Sequence, residues 1–233
     1  GFCLVGSEMC IRDSIKGLAG TGSNAAVLIV GVGAKIHATG TATQPIIFTS
    51  EDDQIIPGQI ASPNLTINNK GLWGGVIILG DAPISPSTGT TDEIEGIPAS
   101  TAGTTYGGAD GTDNSGEFQY CSIRHGGAII GAGNEINGLT LGGVGSGTTI
   151  DHIEIYGNLD DGIEFFGGSV NASDLLVVKI DDDSYDVDQA YSGTVTNFMA
   201  IVNPTGGGDA FEIDGPDCLL YTSDAADEGH GVD

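Results

Sequence analysis

Short strands punctuated by glycine recur along this chain at intervals near 23 residues, and that repeat constrains the fold more than any other feature. Residues Asn137 to Gly143 (NGLTLGG) match Asp161 to Gly167 (DGIEFFG), then Asp183 to Asp188 (DSYDVD), then Asp209 to Gly215 (DAFEIDG), at intervals of 24, 22 and 26. A second register runs alongside it. HIEIYGN at 152–158 aligns with LLVVKID at 175–181 and FMAIVNP at 198–204, each 23 apart. Every repeat therefore holds at least two short strands. Residues 27–50, 73–80 and 117–127 read the same way upstream.

A unit of this length cannot bury its own apolar face, so neighbours must stack and share a continuous core. Alternating side chains in a strand point to opposite faces. The first register then buries Leu139/Leu141, Ile163/Phe165, Tyr185/Val187 and Phe211/Ile213, and turns Thr140, Glu164, Asp186 and Glu212 outward. The second is expected to bury Ile153/Ile155, Leu176/Val178 and Met199/Ile201. A sandwich would show hairpins with two-residue turns, and the spacing shows none. The reading is all-β: a right-handed parallel β-helix, a solenoid with repeats of about 22–26 residues, right-handed crossover being the rule for parallel strands. Two polar, Gly/Pro/Ser/Thr-rich stretches, 51–70 and 81–115, read as long loop insertions. The loop 81–115, or a neighbouring domain, is expected to cover an apolar outer column made of Leu175, Val177, Phe198, Ala200 and Val202.

Composition narrows the partners. Six Lys and Arg stand against 32 Asp and Glu, a formal charge of −26, which argues against nucleic acid and anionic membranes. No apolar run approaches the roughly 20 residues that cross a bilayer, so membrane insertion is not expected. Three of the four cysteines, Cys3, Cys10 and Cys218, lie in end segments unlike the rest. Segments 1–14 and 218–233 resemble translated sequencing-adapter read-through and are set aside as non-native. Residues 15–217 are then expected to form a single β-helix domain, a fragment expected to have lost neighbouring coils or a domain. Cys121 is its sole cysteine, so no intrachain disulfide framework is expected.

The strings GLWGGVIILGDAPI (71–84), YGGADGTDNSGEFQYCSIRHGGAIIGAGNEINGLTLGGVGSGTTIDHIEIYGN (106–158) and DDGIEFFGGSVN (160–171) resemble a family of secreted or surface-attached bacterial right-handed parallel β-helix proteins with the fold of pectin and pectate lyases. The resemblance covers about residues 24–215. It implies an extracellular or outer-surface location and a three-sheet coil, and it implies no settled activity, since that fold hosts lyases, hydrolases, esterases and adhesins. The pectin-degrading hydrolases of this fold resemble one another in NTD, DD, GHG and RIK segments. Here Asp160-Asp161 is present, NTD and RIK are absent, and the one GHG, at 229–231, falls in the end segment set aside.

Two columns of side chains carry whatever chemistry there is. Asn137, Asp161, Asp183 and Asp209 open the first strand of each repeat; their parity turns them inward at a corner, where Asx side chains bond the backbone of a turn. Glu164, Asp186 and Glu212, with Asp188 and Asp214 beside them, form an outward ladder of carboxylates about 4.8 Å apart. Like charges at that spacing need solvent, a proton or a cation. A hard-cation site for Ca²⁺ on Glu164, Asp186, Asp188, Glu212 and Asp214 is the metal reading, and a solvated acidic face is the plainer one. Asp181, Asp182 and Asp183 are followed by Asp186 and Asp188, but they lack the Gly and final Glu of an EF-hand.

Arg124, Tyr156 and Lys179 are expected to form another outward column, with His125 pointing inward. If the protein is an enzyme, Arg124 or Lys179 would serve as base beside Glu164 and Asp186, in a cation-assisted polysaccharide lyase or glycoside hydrolase. No NTPase, zincin or zinc-ribbon motif occurs. The first expectation is a non-catalytic extracellular module for surface display, adhesion or glycan contact, with a polysaccharide or cell-surface glycan as partner.

Overall fold

The computed structural model describes residues 14–94, 97, 101–131, 134–204 and 208–216. Apart from Ser14, the two end segments read as non-native lie outside the described residues. The strands are β1 (Ser14–Gly17), β2 (Leu28–Val30), β3 (Ile36–Thr39), β4 (Ile46–Ser50), β5 (Val76–Leu79), β6 (Asp92–Glu93), β7 (Thr105–Tyr106), β8 (Gly116–Arg124), β9 (Leu139–Gly142), β10 (Thr149–Tyr156), β11 (Ile163–Phe166), β12 (Asn171–Val178), β13 (Tyr185–Asp188), β14 (Val195–Ile201) and β15 (Glu212–Ile213). One sheet runs β2-β5-β9-β11-β13-β15 and the other β1-β4-β8-β10-β12-β14, with β3 also paired to β8. Every ladder in both is parallel. From β8 to β15 the chain alternates between the sheets, so each coil lays one strand on each. This is a parallel β-helix, as the repeat requires.

The interior is a set of stacked columns. In the first sheet Leu28, Val76, Leu139, Ile163 and Tyr185 lie in register and all are buried, as the sequence pattern predicts. Fully burying each such side chain contributes roughly 1.5–3 kcal/mol. In the second sheet the columns are Cys121–Ile153–Leu175–Phe198 and Ile123–Ile155–Val177–Ala200. The expected inward set is therefore wrong by one residue in the later coils. Leu175 and Val177 are buried at 2% and 0% exposure, whereas Met199 is 60% exposed and Ile201 45%. Ile153 pairs with Leu175, an interval of 22 rather than 23.

The cause is a bend in the second sheet. Tyr120, His152, Asp174 and Asn197 all have φ between 51° and 56°. A left-handed residue inside a strand breaks the alternation, so Ile150 and Ile153 both face the core despite their odd separation.

The two long insertions pack on the outer faces. In 51–70, the wholly buried Asp53 accepts hydrogen bonds from Thr49 Oγ1 (3.0 Å), Ile55 N (2.9 Å) and Ser62 Oγ (2.7 Å), which organises the loop from within. In 81–115, β6 and β7 form an antiparallel pair and drop Ile94 and Tyr106 onto Ile77, Leu79 and Phe166 of the first sheet. Tyr106 Oη bonds Gln189 Oε1 at 3.1 Å, which ties the loop to a later coil. The loop thus covers the outer face of the first sheet. The expectation that it covers Leu175 and Val177 is overturned, because those two side chains lie inside the coil.

At the last coil Phe198, Phe211 and Ile213 are 45%, 44% and 71% exposed, since no described strand stacks on them.

Candidate functional site

Along the outer face of the first sheet one column changes character with each coil. Ile29, Ile77, Thr140, Glu164, Asp186 and Glu212 stand in register from β2 to β15. The early members sit under the loop 81–115 and its neighbours. Where the apolar members give way to carboxylates, a cleft of about 260 Å³ opens. Ile77, Ile94, Ile136 and Phe166 wall it on one side; Glu135, Asp160, Asp161, Glu164, Asp182 and Asp186 line the rest, with Asn134, Asn137 and Thr140. No basic residue is among its described lining residues.

The ladder register expected from sequence is present, but the cleft draws on a different set of acids. Carboxylate oxygens of Asp161, Glu164 and Asp186 lie within 4.8 Å of one another, as do those of Asp160, Asp161 and Asp182. Glu212 and Asp214 are exposed beyond the cleft, and Asp188 accepts the backbone N–H of Gln189 at 2.6 Å instead of lining it. Sequence reasoning missed Asp161 as a cleft residue by assigning the Asx column to the interior. That column does cap turns: Asp161 Oδ1 accepts the N–H of Asp183 at 2.9 Å, and Asp183 Oδ1 accepts that of Asp209. It does so from outside the core, and Asn137 Nδ2 reaches across to donate to Glu164 Oε2. The signal was available, because a glycine or serine follows each Asx at 138, 162 and 184 and marks a corner where strand parity no longer holds.

Crowding of like charge out of water decides the protonation. Burial, followed by the charges of Asp161 and Asp186, holds the Glu164 carboxyl well above the usual range. Burial and the neighbouring Asp160 push Asp161 up to about 8. Asp186 is raised by burial, against a hydrogen bond from Glu164 that favours its ionised form. Both carboxyls of the Glu164–Asp186 pair are thus held above the usual range by burial and crowding, Glu164 the more deeply buried of the two. Asp186 Oδ1 is shielded from solvent without a hydrogen-bond partner, a costly state for a carboxylate oxygen. The cleft therefore has unmet demand for positive charge, which a hard cation or an ammonium group can satisfy.

The basic candidates are elsewhere. Arg124 ends β8 on the second sheet, where it pairs with Glu154 at 3.1 Å, donates to Ser122 Oγ at 2.6 Å and lies over the Tyr156 ring at 5.8 Å. Its guanidinium also reaches Ile60 O at 2.5 Å in the 51–70 loop. Lys179 does not continue the column, since Tyr156 registers with Val178. Neither residue stands beside Glu164 and Asp186 on the other sheet. His125 does not point into the coil. It lies buried under the 51–70 loop, its Nδ1 2.7 Å from Asn69 O and its ring edge-on to Tyr156 at 5.8 Å. Burial depresses its pKa and favours the neutral ring.

Among known families, one described as a pectate-lyase-like beta-helix domain has a model that matches residues 4–225. No curated protein and no solved structure matches the chain.

Proposed function

The chain belongs to the pectate-lyase-like β-helix domain family, and from that premise we propose that it is an extracellular, non-catalytic module that contacts glycans, with Ca²⁺ held in the acidic cleft of its first sheet. One observation carries this reading. The cleft gathers six carboxylates and no Arg, Lys or His among its described lining residues. A lyase acting on uronic acids needs cationic groups that hold the sugar's negative charge beside its base, and a purely acidic cleft repels that substrate until a cation intervenes. The isoleucine wall and the Asn and Thr donors suit the apolar face and hydroxyls of a sugar. Ca²⁺ accepts six to eight oxygen ligands and tolerates irregular geometry, which matches carboxylates converging from adjacent coils.

A second reading, a glycoside hydrolase, is favoured by one feature: a protonated Glu164 next to Asp186 is a general acid beside a carboxylate. Incubation of the full chain with neutral, uronic and amino-sugar polysaccharides, with Ca²⁺ and with chelator, separates the two. The module reading expects Ca²⁺-dependent retention on a polysaccharide column, lost in Asp186→Asn, with no new reducing ends and no unsaturated product. Turnover that Glu164→Gln abolishes would establish the hydrolase instead.

A further inference from the structure

The bend of the second sheet carries its own cluster of ligand groups. Tyr120, His152 and Asp174 occupy the same left-handed corner position on three successive coils, between the paired residues Gln119–Asp151–Ser173 and Cys121–Ile153–Leu175. The His152 ring stacks on Tyr120 with centroids 4.1 Å apart and planes 22° from parallel, so its orientation is fixed from one side. Its Nδ1 lies 2.9 Å from Asp151 Oδ1. Asp151 is itself held by Ser173 Oγ at 2.8 Å and Gln119 Nε2 at 3.3 Å. Asp174, one coil further on, brings a second carboxylate, and ligand atoms of Asp151, His152 and Asp174 all lie within 4.8 Å of one another.

An imidazole with two carboxylates differs in kind from the oxygen-only cleft on the other sheet. Imidazole nitrogen favours Zn²⁺ and its first-row neighbours over Ca²⁺ and Mg²⁺, and three protein ligands leave a coordination position open to solvent. The stacked tyrosine and the bonds from Ser173 and Gln119 supply the outer support that orients such ligands. We propose that Asp151, His152 and Asp174 form a surface site for a first-row divalent transition metal that clamps the coils of β10 and β12 together. The metal takes the place of the hydrogen between His152 Nδ1 and Asp151 Oδ1: a neutral ring keeps its one proton, now on Nε2, and a cationic ring keeps that on Nε2 and releases the other to solvent. The site is independent of whatever the acidic cleft does.

Titration of the full chain with Zn²⁺ near neutral pH, in millimolar Mg²⁺ to saturate diffuse acidic binding, tests this. One Zn²⁺ per chain is expected to bind and to raise the unfolding temperature. His152→Asn and Asp174→Asn should each weaken binding at least tenfold. Both replacements suit a left-handed backbone, so the fold is retained. Glu164→Gln should leave Zn²⁺ binding unchanged. Wild-type affinity in both corner variants, displacement of Zn²⁺ by millimolar Mg²⁺, or loss of binding in Glu164→Gln would overturn the assignment.

Discussion

Asp161, Glu164, Asp182, Asp186 and Glu212 all hold protons above the usual carboxylate range in the folded coil. For the first four burial is the leading cause; for the exposed Glu212, pushed up to about 7, it is a hydrogen bond with Asp183 and the nearby charges, which salt screens. The unfolded chain ionises the same groups near pH 4. Between about pH 4 and 8 the folded state thus binds more protons than the unfolded one, so stability is greatest at the acid end and falls as pH rises. Glu164→Gln keeps an amide donor toward Asp186 and an acceptor for Asn137 while removing one titration. It is expected to melt higher than wild type at pH 8 and to lose less stability between pH 5 and 8, by about 1.4 kcal/mol for each unit that the Glu164 pKa is raised. Melting curves at the two pH values check this; equal slopes for variant and wild type would contradict it. The ladder Glu164–Asp186–Glu212 was legible in the sequence because alternation holds within those strands. Asp161 and Asp160 were not, because they sit at a turn where parity says nothing about direction.

At the level of single strands, the first sheet was read in the right register and the second was not. In β9, β11 and β13 polar residues alternate with apolar ones, and only one face can be buried. LLVV at 175–178 and FMAI at 198–201 are apolar throughout, so either parity buries a hydrophobic set and alternation carries no information. Register there is fixed by the left-handed corner residues His152, Asp174 and Asn197, which no periodicity announces. The difference is measurable. Leu175→Ala empties a core position and should cost about 2–5 kcal/mol. Leu176→Ala changes a half-buried outer position and should cost under about 1 kcal/mol. Chemical denaturation of the two variants decides it, and a larger loss at Leu176 would restore the 23-residue register.

Over the whole molecule, the repeat dictated a stacked parallel coil and the loop compositions marked both insertions, yet which face each loop covers depended on contacts far apart in sequence. Ile94 and Tyr106 found Ile77, Leu79 and Phe166, and together they built the wall of a cleft that no single segment encodes. The same long-range assembly brings carboxylates more than twenty residues apart in the chain onto neighbouring coils, so their repulsion belongs to the folded state alone. A cation bridging them binds the folded chain and stabilises it by RT ln(1 + [L]/Kd), about 2.7 kcal/mol at ligand a hundredfold above Kd. With few ligands besides carboxylates, Kd should fall near the weak extracellular range of about 10⁻⁴–10⁻³ M. Protons compete for the same oxygens, so the effect should be larger at pH 8 than at pH 5. Thermal unfolding of the full chain in millimolar Ca²⁺ against chelator, at matched ionic strength, measures this directly. A higher midpoint is expected with Ca²⁺, greater at pH 8 and reduced in Asp186→Asn. Equal midpoints with Ca²⁺ and chelator, or an equal rise from Na⁺ alone, would contradict it and leave the ladder a screened acidic surface.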